Sequence, residues 1–540
     1  MKKLAMLTAM TILVTFSLLP GAGTYSAGEL REASYRVDLS RPGSGEITVT
    51  VSFGSAPSPF ELEMPEEYGD GLAVALPSHV MNERALDPSG RELPLRREGN
   101  RWMIDHAGAF TFSYTVRLSD YHAGTPYLED LARETGNWPY FPRMDGEAAY
   151  LPGFAVFVRP RDANGLRPTL ELLLPEGWRA AVPWEDQPES MEELLENPVY
   201  AGDITLVERE SLLVALPSGA PASGLEGLEE YADRASSLLE RAEESLWGLG
   251  LPPGRRLLIV MAFGGGAGGE ENGGVPVSAL SGEVPFSGAI TLPLSRDANP
   301  LSDAVLEATA HGVTSLLLSH RLLVEEEAEW LREGSAWYLQ YLLPYDAGIW
   351  GAALFWDRFD RRYESYLVAR SEESGSLTLA EAAASARDSA SAAALLDSGG
   401  AVACAALDAA LRSRGQPYAL DLPALLRNLR EMGNASGPLT NERIRSALES
   451  LTGSEWSSFF REYITGSAPI PASAFSSLIV TGPSSPPNGQ AAPEGNTSAS
   501  GWVLLAAAII LVFLIPFLLE PYTMRPRKPG FLERELSKDE

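Results

Sequence analysis

The spacing of apolar residues changes once along this chain, and that change constrains the fold more than any other feature. Between position 35 and about position 216, apolar residues alternate with polar ones. Ile47, Val49, Val51 and Phe53 form one such run, and Phe110, Phe112, Tyr114 and Val116 another. A period of two is the pattern of strands with one face buried. Pro42-Gly43, Pro88-Ser89-Gly90 and Asp162-Ala163-Asn164-Gly165 separate the runs as turns. The implied unit is a β-sandwich-like N-terminal domain.

Around Pro221 the period lengthens. Over 225–249 apolar residues recur at three- and four-residue intervals among acids and arginines, as in an amphipathic helix. RLLIVMAF (256–263) reads as a buried strand and is followed by a glycine-rich loop, GGGAGGEENGG (264–274). The rest, to about position 464, is expected to be mainly helical. Helices are predicted over 302–323, 325–342, an Ala-rich stretch after 379, 401–412 and 441–463, the last capped near Thr440. From 481 to 500 the chain reads TGPSSPPNGQAAPEGNTSAS, a composition that buries no core and predicts a semi-extended tether.

The two ends imply a topology. Lys2 and Lys3 precede an apolar run over 4–19 and then Pro20-Gly21-Ala22-Gly23, the order of a secretory signal peptide, with cleavage expected between Ala22 and Ala27. The run 502–519 carries no charge and is followed by Arg525, Arg527 and Lys528. As a helix it would rise ~27 Å, enough for a thin bilayer core. Its basic flank assigns the tail to the cytoplasm.

Composition narrows the function. A net charge of −30 lacks the basic footprint that nucleic acid requires, so no nucleic-acid partner is expected. Lysine occurs only at positions 2, 3, 528 and 538, which excludes Schiff-base chemistry from the exported part. Cys404 is the single cysteine, so no internal disulfide forms, and its Ala-rich surroundings predict a small core residue.

One segment carries the pattern of a site. Residues 309–338 read TAHGVTSLLLSHRLLVEEEAEWLREGSAWY. In the helical motif HExxH, two His at i and i+4 bind zinc and the Glu is the general base. Here His311 stands at the first position, Gly312 at the base and Ser315 at the second ligand, while Glu333 follows eighteen positions after Ser315 (333 − 315). Catalytic zinc takes three protein ligands plus water. His311 and Glu333 supply two, Ser315 is a poor third, and Glu307, one turn before His311, is a further candidate. A hydrogen-bonded or solvated lone histidine is the expectation, and a vestigial metal site at His311 and Glu333 is the alternative. His79, His106, His122 and His320 show no ligand spacing. A serine mechanism through Ser315 and His311 lacks both a GxSxG elbow and an SxxK signature.

Several landmarks fall in the order of one family. LDPSGRELPLRREGNRWMIDHAGAFTFSYTVRL (86–118), LLLPEGWRAAVPW (172–184), ENPVYAGD (196–203), AHGVTS, WLREGSAWY, GGAVACAALDAALR (399–412) and LTGSEWSSFFREYITGSAPIP (451–471) together resemble the glycyl aminopeptidase-type gluzincin metallopeptidases. That resemblance spans roughly 33–473 and implies an N-terminal β domain followed by a thermolysin-like helical domain. Active members typically carry a Tyr that stabilises the oxyanion just ahead of the segment matched by GGAVACAALDAALR. This chain has LLDSGG there, with Asp397 in the oxyanion region. The PDZ domain that often closes the family is replaced here by the tether and the apolar run. Glu270, Glu271 and Asn272 are either an amino-terminus-binding edge like that of related aminopeptidases or a solvated acidic loop.

The expectation is thus an α+β protein: signal peptide 1–27, N-terminal β domain 28–217, gluzincin-like helical domain 218–473, linker 474–500, a single transmembrane helix 501–520 and cytoplasmic tail 521–540. The function expected is a membrane-anchored, extracytoplasmic pseudopeptidase that binds a peptide or protein ligand in a relic groove. No cofactor is expected, with zinc as the alternative. An active metallo-aminopeptidase with an atypical metal site and a structural envelope protein are the competing readings.

Overall fold

The structure is a computed structural model, which describes residues 32–68, 73–74, 76–118, 142–163, 165–220, 227–246, 255–263, 287–294, 299–319, 321–371, 373–386, 389–413 and 420–478. All belong to one compact unit, residues 1–482. The expected signal peptide, the glycine-rich loop with Glu270, Glu271 and Asn272, His122, His320, the transmembrane run 501–520 and the tail lie outside the described residues.

The alternating runs form sheets that share one core. A five-stranded sheet has the order Arg167–Leu173, Glu32–Asp38, Glu46–Phe53, Phe110–Arg117, Val80–Leu86. Val49 faces Tyr114 across it and Val51 faces Phe112. Because side chains alternate sides, Tyr35, Val37, Ile47, Val49, Val51, Phe112 and Tyr114 all point inward and are buried. A four-stranded sheet containing Phe60–Glu63 and Arg101–Ile104 contributes Leu62 and Trp102 to the same core. The buried phenols are satisfied locally: Tyr35 donates to the Val158 carbonyl at 2.8 Å and Tyr114 to that of Val156 at 2.9 Å.

A further sheet is buried on both faces. It runs Ile204–Glu208, Leu212–Pro217, Leu257–Phe263, Ala289–Leu294, with the last two junctions parallel. Leu213, Ala215, Leu258 and Val260 face the all-β core. Leu212, Val214, Leu216, Ile259 and Ile290 face the helical core. Such double burial explains the continuous apolar run RLLIVMAF. Position 217, where the N-terminal domain was expected to end, is therefore the last residue of a strand that serves both cores.

Over this sheet lie α1 (Leu228–Leu246), α2 (Asp303–Ser319), α3 (Glu329–Asp346), α4 (Ala352–Ser371), α5 (Leu379–Ser385), α6 (Ala390–Ser413), α7 (Leu422–Ser436) and α8 (Asn441–Thr452). Helix α5 starts at a capping box between Thr378 and Glu381. Thr440 caps α8 by accepting from the Arg443 N–H at 3.3 Å. The helix predicted over 441–463 is two elements. Gly453, at φ 63°, ends α8, and a separate turn follows over 457–464. Phe475 and Leu478 are buried in the helical core, so packed chain extends into the first residues of the expected linker. Helix α6 is the one described helix long and apolar enough to cross a membrane, and it is mostly buried within this body. Cys404, on α6, is fully buried, with Ser335 Oγ at 3.6 Å.

Helices α3 and α6 cross in close backbone contact. A Cβ built on Gly334 would lie 2.3 Å from the Gly400 carbonyl carbon and oxygen, and one on Gly400 would lie 3.0 Å from the Gly334 Cα. The two backbones touch where both residues lack side chains. Gly334→Ala is predicted to destabilise the fold by roughly 1–3 kcal/mol in urea denaturation, the scale of overpacking in a close-packed interior. Gly146→Ala, where nothing lies within 4 Å, should leave the unfolding midpoint nearly unchanged.

Candidate functional site

The residues singled out from sequence converge where α2, α3, α4 and α6 meet. Helix α2 rests on the strand Ala289–Leu294, which leaves His311, Gly312 and Ser315 buried. The Gly334–Gly400 crossing draws α3 and α6 together, so that Glu333, one residue before Gly334, comes within electrostatic reach of Asp397, three before Gly400.

His311 is 1% exposed, and its Nε2 lies 3.3 Å from the Ser315 hydroxyl, the position where HExxH has its second ligand. The Trp337 indole covers the imidazole, with ring centroids 4.1 Å apart. Trp337 is four residues after Glu333 and so shares its face of α3. On the Trp337 ring sits Arg362 of α4, its Cζ 3.9 Å from the centroid. Arg362 Nε donates to the Tyr341 hydroxyl at 3.0 Å. The indole thus stacks with the guanidinium and contacts the imidazole, whose plane is tilted by 40° to its own.

Around the stack lie carboxylates. Glu307 is not recruited to His311; the Arg358 guanidinium approaches it at 3.7 Å. Glu333 is flanked by Arg332, whose Nε lies 3.7 Å from it and 3.0 Å from Glu329. Asp397 keeps part of its surface open although atoms crowd it on all sides. That burial pushes its carboxyl up to about 7, with Arg362 opposing the rise and Glu333 adding to it. Burial raises Glu307 as well, against the pull of Arg358. Burial disfavours the Arg362 charge, yet Tyr341, Asp397 and Glu307 hold the guanidinium above its ordinary range. Near neutral pH Asp397 is therefore divided between acid and carboxylate, and only its acid form has an O–H to donate.

The base position is tightly packed. A Cβ on Gly312 would meet the Ile290 Cδ1 and Cγ2 at 3.2 Å, so a side chain there needs Ile290 to give by a few tenths of an ångström. Among the described residues no three His, Cys, Asp or Glu side chains are grouped so as to hold a metal ion. With a hydroxyl in place of one ligand and an indole against the imidazole, the residues present do not fit a catalytic zinc. His79 is buried in a short 3₁₀ turn and His106 bonds the Ala109 carbonyl at 3.2 Å, both in the β part. Ile290, Trp337, Tyr341, Arg358 and Arg362 escaped the sequence reading. The apolar spacing of Phe355, Phe359 and Tyr366 was the available signal for α4, the helix that carries both arginines.

Asp397 supplies a pH test. Its folded pKa, about 7, exceeds the ordinary 3.8, so the folded state binds the extra proton between those values and stability falls as pH rises through that window. The Asp397→Asn variant should lose this slope. In urea melts at pH 5 and pH 8, its midpoint relative to the unmodified protein should rise at the higher pH. A constant difference would contradict the assignment.

Comparison with known proteins agrees with this architecture. Residues 34–203 match the Peptidase M61 N-terminal domain. Among solved structures, an aminopeptidase N family protein from Idiomarina loihiensis is 15% identical over 83% of this chain and 78% of its own, with a TM-score of 0.63. The M1 zinc metallopeptidase from Deinococcus radiodurans is 13% identical over 82% of this chain and 95% of its own, with a TM-score of 0.46. No curated protein matches the chain. At such identity the first of these shows a shared fold, a mixed α+β body with an N-terminal sheet domain and a helical C-terminal part. The family match itself is confined to residues 34–203.

Proposed function

We propose that the protein is a membrane-anchored, extracytoplasmic pseudopeptidase: a gluzincin-type scaffold without metallopeptidase activity that binds a peptide or protein partner. The observation that carries the reading is the state of the HGVTS helix. Gly312 offers no base and abuts Ile290, Ser315 offers no second imidazole, and Trp337 lies against His311. Loss of a positioned base alone removes ~10² to ~10⁴ in rate. Loss of the oxyanion Tyr would remove up to ~10² to ~10³ more to the extent that the partly protonated Asp397 does not stand in for it, although such losses need not multiply. Anchoring rests on sequence: the signal-like start, the uncharged run 502–519 and its basic flank. Residues from about 28 to 500 then face outward, with 28–217 and 218–473 as the working domains.

Two measurements test this reading. The purified full chain, assayed with aminopeptidase substrates bearing small N-terminal residues, should show no turnover above the His311→Ala variant while retaining saturable affinity for peptides from a screened library. Turnover abolished by His311→Ala would establish the atypical enzyme instead, and absence of both turnover and peptide affinity would favour a structural envelope role. In spheroplasts, external protease should remove the ectodomain and spare a tag after Glu520; the reverse pattern would overturn the orientation.

A further inference from the structure

Outside the His311 cluster, a cavity of about 240 Å³ lies where the β part meets the helical part. The β part contributes Glu193, Glu196 and Asn197 to its wall. Arg255 and Arg256 join it just ahead of the strand Leu257–Phe263, Ser287 just ahead of Ala289–Leu294, and Arg321 just beyond the end of α2. Asn197, 1% exposed, fixes this wall. Its amide donates to the Glu193 carbonyl at 2.9 Å and to the Ser287 Oγ at 3.0 Å, and its side-chain carbonyl accepts the Gly288 N–H at 2.8 Å. Since Ser287 accepts that bond, its own hydroxyl hydrogen is left to donate. Arg255 is engaged by Glu193 at 2.8 Å, a carboxylate only 2% exposed. Arg256 donates from Nη1 to the exposed Glu208 at 3.1 Å, while its Nε is buried with no hydrogen-bond partner. Arg321 is half-buried, and among the described residues no carboxylate forms an ion pair with it. Burial pushes its guanidinium below the ordinary range, with Arg430 adding to the effect and Glu243 opposing it. The lining therefore holds more donors than it has acceptors to receive them.

We propose that this cavity is a binding site for a singly charged carboxylate, received by the Arg321 guanidinium with the Ser287 hydroxyl and the Arg256 Nε as further donors. The proposal goes beyond the pseudopeptidase reading, because none of these residues belongs to the His311 cluster. Guanidinium is planar and presents paired N–H groups that match the two oxygens of a carboxylate. Bringing an oxyanion to Arg321 supplies the opposite charge that this guanidinium lacks, and it satisfies a buried N–H of Arg256 that otherwise bears an uncompensated loss of hydration. The lining also selects against higher charge. Glu196 stands in the same wall and the chain as a whole carries −30, so a phosphate dianion is opposed more strongly than a monoanion. The volume is below the roughly 300–1,000 Å³ of sites for drug-sized ligands, which suits a small acid or the carboxyl end of a peptide.

Calorimetric titration of the full chain with N-acetylglycine, its uncharged amide and inorganic phosphate tests the idea. N-acetylglycine should bind saturably and the amide should not. Arg321→Ala should weaken the N-acetylglycine affinity about tenfold or more, the scale of a charge-assisted hydrogen bond. If Arg321→Ala yields no folded protein, Arg321→Gln carries the same comparison. Absence of saturable carboxylate binding, equal affinity in the Arg321 variant, or tighter binding of phosphate than of N-acetylglycine would overturn the proposal. Competition then separates the two sources of carboxylate. Displacement of N-acetylglycine by a peptide with a free C-terminus, and not by its C-terminal amide, would support the site and identify a chain end as its ligand; displacement only by small acids would support it with a free acid as ligand. Arg321-dependent binding of N-acetylglycine in a protein with no affinity for library peptides would retire the partner-binding reading and keep this inference. Peptide affinity that is indifferent to both the C-terminal carboxylate and Arg321, with no binding of N-acetylglycine, would do the opposite.

Discussion

The contact between the Gly334 and Gly400 backbones sets the geometry of the helical half. Two helices approach this closely only where neither has a side chain, and a Cβ on Gly334 would overlap the facing carbonyl at 2.3 Å. With α3 and α6 locked at that point, Glu333 and Trp337 on one and Asp397 on the other have no choice of neighbours. Arg362 of the neighbouring helix then lies over the Trp337 ring. The site is a consequence of the crossing, and its chemistry follows from what stands one turn to either side.

The carboxylates near His311 sit beside arginines. Isolated buried charges cost far more than a salt bridge returns in water, and breaking one partner of a buried set is strongly destabilising. The paired cations are Arg358, beside Glu307, and Arg332, beside Glu333. Asp397 still titrates high, because burial outweighs the pull of Arg362 and Glu333 stands near.

Much of the fold was legible in sequence because it follows from periodicity. The alternating runs over 47–53 and 110–116 pair with each other in the register that buries both, and RLLIVMAF is a strand covered on both faces. Thr440 could be read as a cap because capping is local. The division of 441–463 could have been read from Gly453, whose left-handed backbone stops a helix. Helix α4 was harder: its fully buried positions are Phe355, Phe359, Tyr366 and Ala369, and the arginines that turn inward, Arg358 and Arg362, read in sequence as part of a charged face. The strand Ala289–Leu294 is short and lies close to a glycine-rich stretch, so nothing local reveals that Ile290 will meet Gly312. The loss of HExxH was visible in five letters. What replaced it was not, since Trp337 and Arg362 act through tertiary contacts that no spacing rule encodes.

The central claim is that the His311 region holds no metal because its donors have been replaced and its space filled. Calorimetric titration of zinc into the purified full chain, beside the His311→Ala variant, tests this most directly. The account predicts superimposable titrations with no saturable site that depends on His311. A stoichiometric zinc site present in the unmodified chain and lost in His311→Ala would contradict it.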